Sequence, residues 1–489
     1  MKKWYRIGIL ICVLLGAGSC KKFLQVKPLD TLSGNDFWKT RGDAQKAVSG
    51  AYAILLDKFT RSVLYNVGDF RAGNWNWFNK TNLRAIGNNQ MLSTGGGDGA
   101  NDPQDWQQFY KAIAAANLCI DRIGGIPDPT FSSKEKKSLV AEARFVRAFT
   151  YFFICRMYGD VPLQTDPYDI SLRPREKMLT VLDFCLKDLA ASKDDLPISY
   201  DDPTYRAVRG TRGAALALMA HINMWSAGFD KGNQKNYWTQ AAALVKELMD
   251  LNEYKLIPYT PETFKTIFKG RSEEGIFELS LNANYGGKFH SLICQWTLHA
   301  PYIIDALGGR SEITPMVKHL DRVYPRGESD KRMDLWFDDP YAAKDPQSPM
   351  FLKFSSITDP VSRDYDANFI FFRYADVILL RAEALAYLDN TAEAITMLNM
   401  IRDRAGAKVY NGGGGKALQD AIFYEREKEM MGEGHLWYDL VRTGRVMDKN
   451  VTEDPLTQDQ MDKGAWTWPI SQSAVTNNPL VTRNQYWIQ

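Results

Sequence analysis

Residues 374–404 read YADVILLRAEALAYLDNTAEAITMLNMIRDR, and this stretch decides the fold. Two amphipathic runs, Tyr374–Leu388 and Thr391–Arg404, flank the turn Asp389-Asn390. Apolar residues recur every three to four positions in both, the period of a helix with one buried face. Ala382, Ala384 and Ala386 fall where two such helices would touch, so the stretch reads as a close-packed helical hairpin. Working outward, the pattern returns. Gln104–Ile123 and Lys134–Tyr158 are joined by Gly124-Gly125-Ile126-Pro127-Asp128-Pro129. Glu176–Asp194 and Thr211–Gly228 read as a second pair, with Tyr237–Leu251 following. Lys416–Gly432 and Leu436–Thr443 close the series. Hairpins of about 34 residues with small residues at the contacts, such as Ala214, Ala217 and Ala220, point to a tetratricopeptide-like repeat. The expected fold is mainly α: tetratricopeptide-like helical repeats with long irregular loop insertions and little β.

The insertions fall at roughly 160–175, 252–370 and 445–489. The middle one is rich in Gly, Pro and aromatics and contains a possible strand at Gly275–Leu281. Between about 66 and 102 helical periodicity also fails. Asn74-Trp75-Asn76-Trp77-Phe78-Asn79 and a Gly-rich run at 95–99 read as a long loop, the kind of segment that carries function in compact domains.

The chain has 489 residues, 45% hydrophobic and 24% charged, enough apolar material for a packed core and too much for wholesale disorder. Lys and Arg number 60 against 58 Asp and Glu, a balance that excludes the basic excess of a nucleic-acid binder. At the N-terminus Lys2, Lys3 and Arg6 precede the apolar run Ile7 to Leu15, then Gly16-Ala17-Gly18-Ser19 and Cys20. The run is too short to span a bilayer, which takes about 20 residues, and reads as a secretory signal over 1–19. The small residues before Cys20 resemble a bacterial lipoprotein box, in which the cysteine is cut free and lipidated; residues 20–35 then read as a tether. Losing three cations with the leader leaves 57 basic against 58 acidic residues, a net of −1. Cys119, Cys155, Cys185 and Cys294 read as buried free thiols, with one disulfide as the alternative in an oxidising compartment.

The hairpins carry a family likeness. Ala141-Glu142-Ala143-Arg144-Phe145-Val146-Arg147-Ala148-Phe149, running on to Tyr158-Gly159-Asp160-Val161-Pro162-Leu163, resembles the SusD/RagB nutrient-uptake lipoproteins. So do Arg373 to Ala384, Asn399-Met400-Ile401-Arg402, Glu425-Arg426-Glu427-Lys428-Glu429, and Glu433 to Arg442. Cys20-Lys21-Lys22-Phe23-Leu24 and the ending Pro469-Ile470 to Asn484-Gln485-Tyr486 also fit. The resemblance implies a single SusD-like body over 36–489, with an N-terminal part to about 230 and a C-terminal part from about 270. It implies a lipoprotein on the outer face of a Bacteroidetes-type outer membrane. There it would act as a lid on a SusC-like TonB-dependent transporter, capturing an oligosaccharide without catalysis or cofactor. The loops depart most from the family pattern, so the nutrient stays open. A peptide, a glycoside hydrolase activity and a pure protein-binding scaffold are the alternatives.

Glu425, Glu429 and Glu433 fall at i, i+4 and i+8, stacking like charges that need basic partners. Arg402, Arg404, Arg426 and Arg442 are the expected partners, which makes these carboxylates structural rather than a glycosidase pair. Glu142 with Arg144 and Arg147, and Asp376 with Arg381, read the same way. Gly412 to Lys416 lacks the P-loop pattern, the five histidines form no HExxH, and no GxSxG occurs. Asp98 and Asp102 offer oxygens for calcium only weakly, and no other metal set exists. A sugar needs flat rings for its C–H faces and amides or charges for its hydroxyls. Two segments supply both: Asn74, Trp75, Asn76, Trp77, Phe78 and Asn79, and then Asn284, Tyr285, Trp296 and Arg310. Trp75 and Trp77 alternate, so one of the two is expected to point inward.

Overall fold

Ser132 and Glu135 start the longest helix with a reciprocal cap, each side chain bonding the other's backbone N–H. Thr40 and Asp43 do the same for the first long helix, and Thr211 caps another by accepting from Ala214 N. A computed structural model describes residues 37–61, 63–78, 80–93, 100–281, 292–304, 310–341, 349–356 and 367–488. Its main helices are α1 (Arg41–Phe59), α2 (Gln107–Arg122), α3 (Ser133–Tyr158), α4 (Met178–Ala190) and α5 (Arg212–Phe229). Then come α6 (Gln234–Asp250), α7 (Tyr374–Tyr387), α8 (Thr391–Arg404), α9 (Lys416–Glu429) and α10 (Leu436–Arg442). The fold is mainly α with tetratricopeptide-like character, as the periodicity implies. The leader, the tether and Cys20 lie outside the described residues.

The helices form one stack. α1 lies on α2 and α3, α3 on α4, α5 on α6, α6 on α7, and α7 on α8 and α9. The α6–α7 contact bridges the 252–370 insertion, so that insertion interrupts the sequence without interrupting the stack. Ala241, Ala242, Ala375, Ala382, Ile378 and Leu398 share one apolar cluster, where small side chains let the backbones approach. Pairing differs from expectation at one place. The four residues Asp230 to Asn233 fold α5 back on α6, whereas α4 lies chiefly on α3. A turn that short leaves consecutive helices no other neighbour, while the long link from α4 to α5 frees α4.

Strands are few and paired antiparallel: β1 (Trp75–Trp77) with β3 (Ile313–Pro315), β2 (Gly275–Leu279) with β6 (Phe369–Arg373), and β4 (Phe337–Asp338) with β5 (Met350–Phe351). The strand expected at 275–281 ends at Leu279.

The 66–102 segment corrects the sequence reading. It is no open loop: Val63–Gly68 and Thr81–Gly87 are helices, and nearly every residue from 63 to 75 is buried. Elements of six or seven residues are too short to show periodicity, and burial on all sides removes the alternation. Asp69 holds the segment down by accepting from Gly432 N (3.1 Å) and Gly434 N (2.5 Å). Both glycines have positive φ, which turns their N–H groups toward Asp69. Arg71 donates to the Ala465 and Trp466 carbonyls and lies 4.2 Å over the Trp437 ring.

The Cys119, Cys155 and Cys185 thiols are buried and free, and buried Cys294 donates its thiol to the Phe354 carbonyl at 2.8 Å. Burial pushes Cys119 up to about 12, which leaves it inert as a nucleophile.

Two glycines make opposite predictions. A Cβ on Gly68 would sit 2.2 Å from the Gly434 carbonyl oxygen, whereas one on Gly50, inside α1, meets nothing within 4 Å. Gly68→Ala is expected to cost about 2–3 kcal/mol through overpacking. Gly50→Ala is expected to add about 0.5–1 kcal/mol by helix propensity. Urea midpoints of the two variants check both signs.

Candidate ligand face and its ion-paired support

Residues i and i+2 of a strand share a face. Trp75 and Trp77 therefore point the same way, and both point inward. The Trp75 ring centroid lies 5.6 Å from Phe70 and 5.7 Å from Phe351, and Trp77 lies 5.3 Å from Phe70. Trp296 joins them, 5.8 Å from Phe70. These three indoles are 1%, 8% and 6% exposed, so they build the wall behind the face rather than its surface. The expectation of one inward ring is corrected by the strand period. Asn74 is also buried; its carbonyl accepts from Met316 N at 3.0 Å, and its side-chain amide has no hydrogen-bond partner among the described residues.

Asn76 and Phe78 take the opposite, half-exposed face. Asn76 donates to the Thr314 hydroxyl at 3.4 Å, and Phe78 N donates to the Glu312 carbonyl at 2.8 Å. Glu312 also pairs with Lys80 at 2.6 Å, and Lys80 lies 5.6 Å from the Trp296 ring. Arg310 is exposed two residues upstream of Glu312. The β1–β3 ladder thus gathers a ring, an amide, an ammonium and a carboxylate, with exposed Arg310 two residues before Glu312 in the chain. Lys80 and Glu312 were not singled out from sequence. Lys80 directly follows the Asn-rich run, a usable signal, but Glu312 carries none without the β3 register. Asn79, Asn284, Tyr285 and Asp98 lie outside the described residues.

Asp102 sits elsewhere, against a cation that the chain supplies itself. Lys58 is buried and donates to the Asp102 carbonyl (2.5 Å) and the Asp105 carbonyl (2.6 Å). No group of three or more His, Cys, Asp or Glu among the described residues is placed to hold a metal.

The carboxylates of 425–433 are buried in a lattice of cations. Glu425 pairs with Arg332 (2.5 Å) and Arg402 (2.9 Å). Glu429 pairs with Arg404 (2.6 Å), Arg373 (2.7 Å) and Arg332 (2.9 Å), and accepts from the Tyr259 hydroxyl at 2.6 Å. Glu433 pairs with Lys353 (2.6 Å) and Arg373 (2.7 Å). Glu274 pairs with Arg373 (2.7 Å) and Arg404 (2.9 Å). Glu433 is not on the helix face: α9 ends at Glu429 and the positive-φ Gly432 turns the chain away.

Arg426 and Arg442 form a second cluster instead. Arg426 meets Asp376 (2.6 Å) and Asp439 (2.7 Å), Arg442 meets Glu383 (2.5 Å) and Asp439 (2.8 Å), and His221 meets Asp376 (2.8 Å). Glu142 pairs with Arg209, Asp188 with Arg147 at 2.7 Å, and Arg381 with Glu393. The same-helix pairs expected for Glu142 and Asp376 fail because i+2 and i+5 positions do not face each other.

Burial alone would raise the Glu425, Glu429 and Glu433 carboxyls, but the surrounding Arg and Lys charges outweigh it and hold all three below the usual range. Asp376 behaves likewise, held down by His221 and Arg426. Burial pushes Lys353 down to about 8 and His435 down to about 4.

A helical-repeat protein elaborated by long insertions is the class this fold defines. Residues 36–224 match the family described as "Starch-binding associating with outer membrane", and residues 338–487 match the "SusD family". A crystal structure of a SusD homolog from Bacteroides thetaiotaomicron VPI-5482 is 32% identical, with TM-score 0.82, covering 91% of this chain and 98% of its own. The chain belongs to the SusD/RagB family. SusD-like protein P38 of Formosa agariphila is 28% identical, with 99% of each chain aligned. A structure titled laminarin binding SusD-like protein shares the fold at 20% identity and TM-score 0.71, covering 91% of this chain and 99% of its own.

Removing one member of a buried ion lattice strands the rest. Arg373→Met is expected to cost about 3–5 kcal/mol, because Glu274, Glu429 and Glu433 each lose a partner. Arg402→Met is expected to cost about 1 kcal/mol, since Arg402 is 17% exposed and Glu425 keeps Arg332. Guanidinium denaturation of the pair tests the ranking.

Acid sensitivity follows from the depressed carboxyls. A carboxyl depressed in the folded state contributes stability that is present above its unfolded value, near 4, and lost as pH falls through the folded value. Between about pH 4.5 and 6.5 two sets oppose. His435 and His221, pushed down by burial, lose stability on acidification. Asp69, Glu278 and Glu427, each pushed up to about 7 by burial, gain it. The melting temperature is expected to stay nearly flat over that window and to drop steeply below about pH 4.5. Calorimetry from pH 3 to 8 reads the curve.

Proposed function

We propose that the protein is a cell-surface nutrient-capture lipoprotein that binds an oligosaccharide on the outward face of the β1–β3 ladder. It delivers the sugar to a SusC-like TonB-dependent transporter. The observation that carries the reading is family membership along nearly the whole chain, together with a face that combines the groups a sugar needs. Phe78 offers a ring for the C–H face. Asn76, Lys80, Glu312 and Arg310 offer donors and acceptors for hydroxyls. Asn79, Asn284 and Tyr285, expected from sequence as further ligand contacts, lie outside the described residues. Trp75, Trp77 and Trp296 position that face from behind. One structural neighbour is described as laminarin binding and the family matched by residues 36–224 as starch-binding, which supports a glycan over a peptide.

A non-catalytic role is supported by the carboxylates. Every side-chain oxygen of Glu425, Glu429 and Glu433 is engaged by a cation, which leaves none to protonate a leaving group. Localisation at the outer membrane, facing outward through a lipid on Cys20, fits the leader and the family description. No helix among the described residues is long and apolar enough to cross a membrane.

Isothermal calorimetry against a panel of neutral oligosaccharides is the decisive measurement. Asn76→Ala and Phe78→Ala are each expected to weaken binding about tenfold, roughly 1.4 kcal/mol, with little change in melting temperature. Trp75→Ala is expected to cost about 3–5 kcal/mol of stability, as for any large core ring. Absence of binding to every glycan, together with failure to co-purify with a β-barrel, refutes the reading. Cys20→Ser should abolish palmitate labelling and release the protein from the membrane fraction.

A further inference from the structure

A second cavity lies on other elements. It encloses about 490 Å³ between residues 324–341, the α8–α9 connection 407–412 and α9. That is within the range that holds a small ligand, about 300–1,000 Å³. Its lining includes no residue of the β1–β3 face.

The walls are pre-set. Tyr410 N donates to Asn399 at 2.7 Å, Asn399 donates back to the Tyr410 carbonyl at 3.0 Å, and the Tyr410 hydroxyl donates to the Gly413 carbonyl at 2.8 Å. Those bonds clamp the 407–412 connection onto α8. Across the cavity the Tyr341 ring is covered on one side by the Arg326 guanidinium at 4.4 Å. Tyr324 is buried in the wall, and Lys428 Nζ stands 5.3 Å from its ring.

Charge in the cavity is unevenly spent. Asp330 and Glu425 belong to the lining, but both are bonded to Arg332. The Arg402 guanidinium is fixed by Nε donating to Glu425 at 2.9 Å and by Nη1 reaching the Lys408 carbonyl at 3.4 Å. Half-buried Lys428 and exposed Lys408 line the same space, and neither ammonium has a hydrogen-bonded or ion-paired partner among the described residues, Lys428 Nζ having only the Tyr324 ring beside it. Burial lowers the Lys428 ammonium pKa, so an incoming anion would relieve it. Glu328 and Asp334 stand exposed in the lining, available to accept from hydroxyls. Two ammonium groups that lack hydrogen-bonded or ion-paired partners, beside a fixed guanidinium, aromatic walls, and carboxylates for hydroxyls, together match a sugar ring bearing a carboxylate.

We propose that this cleft is a second carbohydrate subsite, selective for an acidic sugar of the hexuronate class. The carboxylate meets Lys428, Lys408 and Arg402, and the hydroxyls meet Glu328 and Asp334. The inference rests on the carbohydrate-capture reading above and adds a second, charge-selective position to it.

The test is calorimetry on the full chain with trigalacturonate and trimannuronate beside the neutral panel. The intact protein should bind at least one uronide, and raising salt from 50 to 500 mM should weaken that binding but not neutral binding. Lys428→Met should lose at least tenfold in uronide affinity and Lys408→Ala about threefold, with neutral affinity and melting temperature unchanged. Lys408 is exposed, so its variant reports on binding even if Lys428→Met misfolds. Failure to bind either uronide while neutral glycans bind overturns this inference alone, as does equal affinity in both variants. Failure to bind any glycan overturns both readings.

Discussion

The guanidinium of Arg373 is the point on which the structure closes. It ends β6, directly before α7, and reaches Glu274 just before β2, Glu429 at the end of α9 and Glu433 in the turn that follows α9. Three separate stretches of chain therefore converge on one buried ion. Such a lattice is costly to desolvate and tolerates no missing member, so it favours one arrangement strongly over near misses. Arg332, Arg404 and Lys353 extend it. The Gly432-Glu433-Gly434 turn carries it one step further, because the N–H groups of its two glycines hold Asp69. The segment that leads into the β1 face is thus seated on the same turn that houses Glu433.

The sequence showed the helices well because their apolar positions repeat, and repetition is local. It showed that the 425–433 carboxylates needed cations for the same reason. It named two of those cations, Arg402 for Glu425 and Arg404 for Glu429, and missed the others. Arg332, Arg373 and Lys353 are remote in the chain, and nothing near them marks their partners. Arg426 and Arg442 looked eligible by proximity, yet they serve Asp376, Asp439 and Glu383. Where same-helix pairs were expected, helix geometry ruled them out, and the partners came from elsewhere: Arg209, just before α5, for Glu142, and His221 on α5 for Asp376.

The Asn74–Phe78 run shows a different limit. Its composition marks it as unusual, but composition does not say which way a ring faces. The register with β3 does, and it sends the tryptophans to Phe70 and leaves Asn76 and Phe78 outside. The residues that complete the face, Lys80 and Glu312, come together only through that pairing.

The direct contact of α6 with α7 has a consequence for how such proteins diversify. The chain leaves the stack after Asp250 and re-enters it at Tyr374 beside the point of departure, with β2 paired to β6 across the neck. An excursion whose ends already meet can grow or shrink cheaply, since each doubling of a flexible loop adds only about 0.6 kcal/mol of closure entropy. What lies beyond the neck is held at a few anchors, Arg332 and Lys353 in the buried lattice and Ile313–Pro315 against β1, and only the stretches between those anchors are free to change. New ligand preferences can be tried between those anchors while the helices and their buried charges stay as they are.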